Sequence, residues 1–177
     1  MKIFYVHHAL RDIGNPPTQE DGLKEVGIKD ANIVADIFED GKRYMNVKAI
    51  YTSPFYRCKE TARLINKHLN APIIEDVRLN EFGSVHFAVK GIKDEAEKET
   101  WEECQIRIME AIKDIVFKYD EKDTVICVTS GVNLTAFICA AYGIKPNSNL
   151  PFPLVPSCSP IGFEISRDNF KQWKNIL

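Results

Sequence analysis

Val47-Lys48-Ala49-Ile50-Tyr51-Thr52 runs directly into Ser53-Pro54-Phe55-Tyr56-Arg57-Cys58-Lys59-Glu60-Thr61-Ala62. The first six residues are rich in β-branched and aromatic types and read as a strand. Ser53-Pro54 ends it, because proline has no N–H for the ladder and suits the first turn of a helix. The following segment places Ala62, Leu64, Ile65 and Leu69 at helical spacing. A strand that passes at once into a helix, with Arg57 near the helix start, is a building unit of an α/β fold.

Working outward, the same alternation recurs. Lys2 to Val6 is a short apolar strand at the start of the chain. A polar loop from Arg11 to Pro17 follows, broken by Gly14-Asn15-Pro16-Pro17. Thr18, three residues before Asp21, resembles a weak capping box. Leu23 and Val26, then Ala31, Val34, Ala35 and Phe38, give a helical pattern, and Gly27 predicts a break into two pieces. Ile73-Ile74 is a third strand. Asp76 to Ile92 has no clean period and reads as a loop-rich excursion. Trp101, Cys104, Ile108, Ala111, Ile112 and Ile115 mark a long helix over Glu95 to Tyr119. Thr124 to Val128 reads as a fourth strand, and Gly131 to Tyr142 as a helix stopped by Gly143. Ile161 to Ile165, after the proline-rich stretch from Pro146 to Pro160, is a fifth strand. The expectation is one domain over 1–177, a three-layer α/β/α fold with a mostly parallel central sheet.

Composition narrows the function classes. The 177 residues are 45% apolar and 27% charged, which suits a globular domain and not a disordered one. With 23 Lys+Arg against 25 Asp+Glu, the net charge of −2 offers no basic footprint for nucleic acid or an anionic membrane surface. Met1 to His8 is too short an apolar run for a signal peptide. Val125 to Ile144 is uncharged over a length that could span a bilayer. Its polar residues Thr129, Ser130, Gly131, Asn133 and Thr135 favour instead a buried strand, a turn and a buried helix. The five cysteines are odd in number and contain no Cys-x-x-Cys pair. They read as buried small residues in a reducing compartment, and a cytoplasmic location is the expectation.

In open α/β sheets ligands bind beyond the carboxyl ends of the strands. The residues just past those ends are His7, His8 and Arg11; Ser53 and Arg57; Arg78, Asn80 and Glu81; and Thr129-Ser130-Gly131. Brought together, they would form an anion site with a nucleophile, an acid and a helix N-terminus. Singly, each has a plain structural reading: a hydrogen-bonded histidine, a solvated arginine, an ordinary surface carboxylate. No metal is expected. His7 and His8 are neighbours, and neighbours on a strand point to opposite faces. No cofactor is implied.

Val6-His7-His8-Ala9-Leu10-Arg11 resembles the signature of the histidine phosphatase superfamily, the phosphoglycerate mutase-like fold, whose first strand ends in Arg-His-Gly or Arg-His-Ala. Pro17 to Leu23 is similar to the family's Leu-Thr-Glu-x-Gly helix start. Tyr51 to Ala62 resembles its Ser-Ser-Pro-x-x-Arg-x-x-x-Thr-Ala segment, Arg78 to Gly83 its acid-bearing Leu-x-Glu region, and Val128-Thr129-Ser130-Gly131 its Val-Ser-His-Gly motif. The resemblance implies that His8 takes up a phosphoryl group and Glu81 protonates the leaving group. It also implies that Arg11 and Arg57, with His7 and Ser130, hold the phosphoryl oxygens.

This chain departs from the pattern at two positions. His7 stands where the family has its first arginine, and Ser130 where it has its second histidine. His7 can carry charge only when protonated, near or below pH ~6.5. Losing one such donor typically costs roughly 10²–10³ in rate. The implied function is phosphomonoester hydrolysis through a phosphohistidine, weak or specialised. The alternative is an inactive family member that binds a phosphorylated ligand. In either case the partner is a phosphorylated small molecule or phosphoprotein. His86 is a candidate to replace the missing histidine, and Phe82, Phe87 and Phe152 are candidate substrate contacts. The sequence leaves the oligomeric state open.

Overall fold

The computed structural model describes residues 1–14, 20–83, 99–144 and 155–173. Its strands are β1 (Lys2–His7), β2 (Asn46–Thr52), β3 (Ile73–Glu75), β4 (Asp123–Thr129) and β5 (Pro160–Glu164). Its α-helices are α1 (Glu25–Gly41), α2 (Tyr56–Ile65), α3 (Trp101–Lys118), α4 (Gly131–Tyr142) and α5 (Arg167–Trp173). The sheet order is β3-β2-β4-β1-β5, with β5 antiparallel to β1 and every other pair parallel.

Period-two alternation sorts the side chains into two cores. On one face Ile3, Tyr5, Ala49, Tyr51, Val125 and Cys127 pack under α3, α4 and α5. On the other, Val6, Ile50, Ile126 and Val128 pack under α1 and α2. Central β4 is buried at every position, as a strand covered on both faces requires. All five cysteines are free and buried. Among the described residues no helix is long and apolar enough to cross a membrane.

This is the expected three-layer α/β/α architecture, with two local differences. The long helix starts at Trp101, where Thr100 and Glu103 form a reciprocal capping box. Thr18 of the predicted capping box lies outside the described residues. Most informative is α1, which runs unbroken through Gly27. Gly27 is buried and faces the backbone of Leu10, whose carbonyl accepts the Lys24 N–H at 2.9 Å. A Cβ there would meet the Leu10 oxygen well inside van der Waals contact. The glycine thus serves close approach of two backbones, and helix propensity yields to packing.

Gly27→Ala should therefore destabilise the fold by about 1–3 kcal/mol, the usual range for overpacking, although alanine is the better helix former by ~1 kcal/mol. Urea unfolding of the variant checks the sign.

Candidate functional site

The strand ends meet in one crevice because the chain, after β1, crosses to β2 on the far side of β4. His7 is in register with Thr129, and Thr52 with Val128. Three backbone bonds extend the ladders past the strands: His8 N–H to Thr129 O at 2.8 Å, Ser53 N–H to Val128 O at 3.1 Å, and Asp76 N–H to Thr52 O at 2.9 Å. The residues that follow each strand are thereby fixed relative to one another.

His8, Arg57 and Glu81 form a continuous chain of contacts. His8 Nδ1 lies 2.9 Å from the Ala9 carbonyl, which can only accept, so Nδ1 carries the hydrogen. Nε2 then presents its lone pair and accepts from Arg57 Nε at 3.1 Å. Arg57 Nη2 donates to Glu81 Oε2 at 2.6 Å. The guanidinium is 1% exposed and lies 4.6 Å over the Phe55 ring. Burial, ahead of the nearby charges of His7, Arg57 and Arg11, pushes the His8 imidazole down to about 3, so it is neutral around pH 7.

His7 sits against this chain. Its ring centroid is 4.7 Å from that of His8, edge to face. The alternation rule failed here because β1 ends at His7 and His8 lies beyond it. His7 Nδ1 is 3.1 Å from the Val155 carbonyl. Its pKa is lowered by burial, against the raising effects of the Val155 carbonyl and the Glu81 charge. The site therefore disfavours the imidazolium that the sequence reading expects of His7. Among the described residues no cluster suits a metal ion.

Arg11 and Ser130 stand at the margins. Arg11 forms an isolated bridge with Leu23, and its charge bears on His8. Ser130 caps α4, its Oγ accepting the Asn133 N–H at 3.3 Å, and is 2% exposed. Arg78 is drawn elsewhere, to Asp76 and Asp114, each at 2.7 Å. Phe82 stacks edge-on against Trp101, while His86, Phe87 and Phe152 lie outside the described residues.

Three bracing groups are given no such role by the sequence reading. The buried Asn133 Nδ2 donates to Leu79 O at 2.9 Å, Asn80 O at 2.6 Å and Thr129 Oγ1 at 2.9 Å. It ties the backbone just before Glu81 to the end of β4. Arg107 pairs with buried Glu99 and donates to Arg78 O at 2.5 Å. Glu99 in turn accepts the Gly83 N–H at 3.0 Å. Glu81 is thus held between anchored residues on both sides. Thr61, part of the quoted motif, accepts the Ala9 N–H at 3.0 Å and donates to Arg57 O at 2.7 Å.

Comparison with known proteins bears on the family and the fold. The model of the histidine phosphatase superfamily (branch 1) matches residues 17–90 and 84–175. No curated protein sequence matches. Among solved structures, Bacillus stearothermophilus YhfR superposes with a TM-score of 0.74 at 23% identity, over 94% of this chain and 92% of that one. Mycobacterial glucosyl-3-phosphoglycerate phosphatase Rv2419c with VO3 gives 0.69 at 17% identity, over 96% and 93%. The protein histidine phosphatase SixA with tungstate gives 0.68 at 11% identity, over 96% and 91%.

Two outcomes are expected. Asn133→Ala leaves buried carbonyls short of a donor and should cost about 1–3 kcal/mol in urea unfolding. The second concerns pH. His8 has a lower pKa folded than unfolded, so the unfolded chain binds more protons between the two values. Its contribution is complete above pH ~6.5 and is lost as pH falls, at up to about 1.4 kcal/mol per pH unit. Stability measured at pH 6.5 and 5 should drop in the wild type and drop less in His8→Asn.

Proposed function

The chain belongs to the histidine phosphatase superfamily, and from that premise we propose that it hydrolyses phosphomonoesters through a phosphohistidine at His8. The observation that carries the reading is the fixed tautomer of His8. Its Nδ1–H is committed to Ala9 O, and its lone pair faces the guanidinium of Arg57, which also grips Glu81. Nucleophile, cation and acid are in contact within one buried chain.

In the first step the Nε2 lone pair attacks phosphorus and the P–O ester bond breaks. The departing oxygen takes a proton from the Glu81 carboxyl. In the second step water attacks the phosphorus of phosphohistidine, Glu81 receives the water's proton, and phosphate leaves with His8 neutral again. The Nε2 lone pair of His8 cannot attack phosphorus while it accepts from Arg57 Nε, and Arg57 gives only two of its five N–H donors to His8 and Glu81. Entry of the ligand would turn the guanidinium from those partners to phosphoryl oxygens. Arg11 would supply a further donor, and the N-terminus of α4 after Ser130 its partial positive charge.

A second reading rests on His7 and Ser130. Neither position offers a permanent cation, so charge spread over the phosphoryl oxygens in the transition state has less to meet it. Under that reading the chain binds a phosphorylated small molecule or phosphoprotein without turnover.

Rapid quenching with an aryl phosphate separates the two. Acid-labile, base-stable phosphate on the protein, absent from His8→Ala, is the expected result. Label that persists in His8→Ala overturns the assignment of the nucleophile. Binding of the ester without label or released phosphate favours the second reading. In the active case, Glu81→Gln should lower kcat by roughly 10²–10⁴ with esters of poor leaving groups.

A further inference from the structure

We propose that His7 makes anion binding in this site proton-linked: a tetrahedral oxyanion enters together with one proton, which settles on Nε2 of His7. The inference deepens the phosphoryl-site reading and rests on it.

The Val155 carbonyl can only accept, so His7 Nδ1, 3.1 Å away, must carry a hydrogen. Nε2 of the neutral ring is then an acceptor. The Pro156 carbonyl also lies beside the ring. A phosphoryl oxygen meeting that lone pair would be repelled. The two agree only if a proton lies between them. His7 is therefore no weaker copy of an arginine. It is an acceptor that becomes a cation on demand.

The groups around the ring give the direction. His8, next in the chain, and Arg57 from α2 disfavour the imidazolium, as does burial. Glu81, after β3, and the carbonyls of Val155 and Pro156, before β5, favour it. The disfavouring side prevails, and the His7 pKa lies below its ordinary value. An incoming dianion reverses the balance. It sets negative charge near the ring and draws off the Arg57 guanidinium as a counter-charge. The Nδ1 bond to Val155 is kept in both states, so the proton arrives without the ring turning. The ligand class that suits such a site is a phosphomonoester or inorganic oxyanion carrying one ionisable proton, or a dianion in a medium that supplies one.

Sulfate is the probe, since it has no proton to give or take near neutrality. Titration calorimetry at pH 7.5, in two buffers of different protonation heat, should show about one proton taken up per sulfate. The wild-type affinity should fall about tenfold from pH 7 to pH 8. His7→Arg should bind sulfate with a flat pH dependence and no uptake, and His7→Gln should show no uptake. Imidazole 15N NMR of the wild-type protein reads the site directly: His7 Nε2 should pass from unprotonated to protonated as sulfate is added. Sulfate binding without proton uptake, or with the proton on His8 or Glu81, overturns the proposal and leaves the oxyanion site standing. Absence of sulfate binding, or binding unchanged in Arg57→Ala, overturns both.

Discussion

A guanidinium taken out of water costs several kcal/mol unless its donors are matched, and breaking a matched buried pair costs about 3–5 kcal/mol. Arg57 is 1% exposed and is matched by His8 Nε2 and Glu81 Oε2. That requirement reaches well beyond the side chain. The acceptor on His8 exists only because Ala9 O fixes the tautomer, and Ala9 is itself tied to α2 through Thr61. The acceptor on Glu81 arrives from a segment after β3 that belongs to no strand or α-helix. The fold must bring these two to one atom group from different strand ends, and the β1–β4–β2–β3 order sets those ends in one row.

The Glu81 side is the harder to fix, since an irregular segment has no ladder to hold it. Two networks supply what the ladder does not. Asn133 sets the backbone at Leu79 and Asn80 against the end of β4. Glu99 and Arg107 clasp Gly83 and Arg78 on either side. These groups touch no proposed reacting atom. Their part is to limit where Glu81 can go, which for proton transfer matters as much as its pKa.

How much of this the sequence disclosed follows the range of the forces involved. Strand–helix alternation, the stop at Ser53-Pro54 and the cap at Gly143 are local and were readable. So was the common location of His8, Arg57 and Glu81, because α/β topology sends strand ends to one side. Gly27 was misread because its reason lies at Leu10, seventeen positions away in the chain, while breaker rules look only at neighbours. The two histidines were misjudged because a strand's alternation stops where the strand stops, and that boundary falls between them. The bracing by Asn133 and by the Glu99–Arg107 pair was not legible, since the backbone groups they hold lie far from them in the chain.

Charge balance gives the site its character. One buried cation is matched by one carboxylate, burial disfavours charge on both imidazoles, and the charge of Arg11 bears on His8. Such a site has little standing attraction for a dianion. Whatever affinity it has must come from rearrangement: Arg57 trading partners and His7 accepting a proton. Each change brings positive charge to the ligand only once the ligand is inside. A site with a permanent arginine at position 7 would attract oxyanions before they arrive and hold phosphate after it forms. The histidine ties attraction to occupancy. On the phosphatase reading, this lets the phosphate product leave as the proton leaves, which makes weak ground-state binding a consequence of the same substitution that lowers transition-state stabilisation.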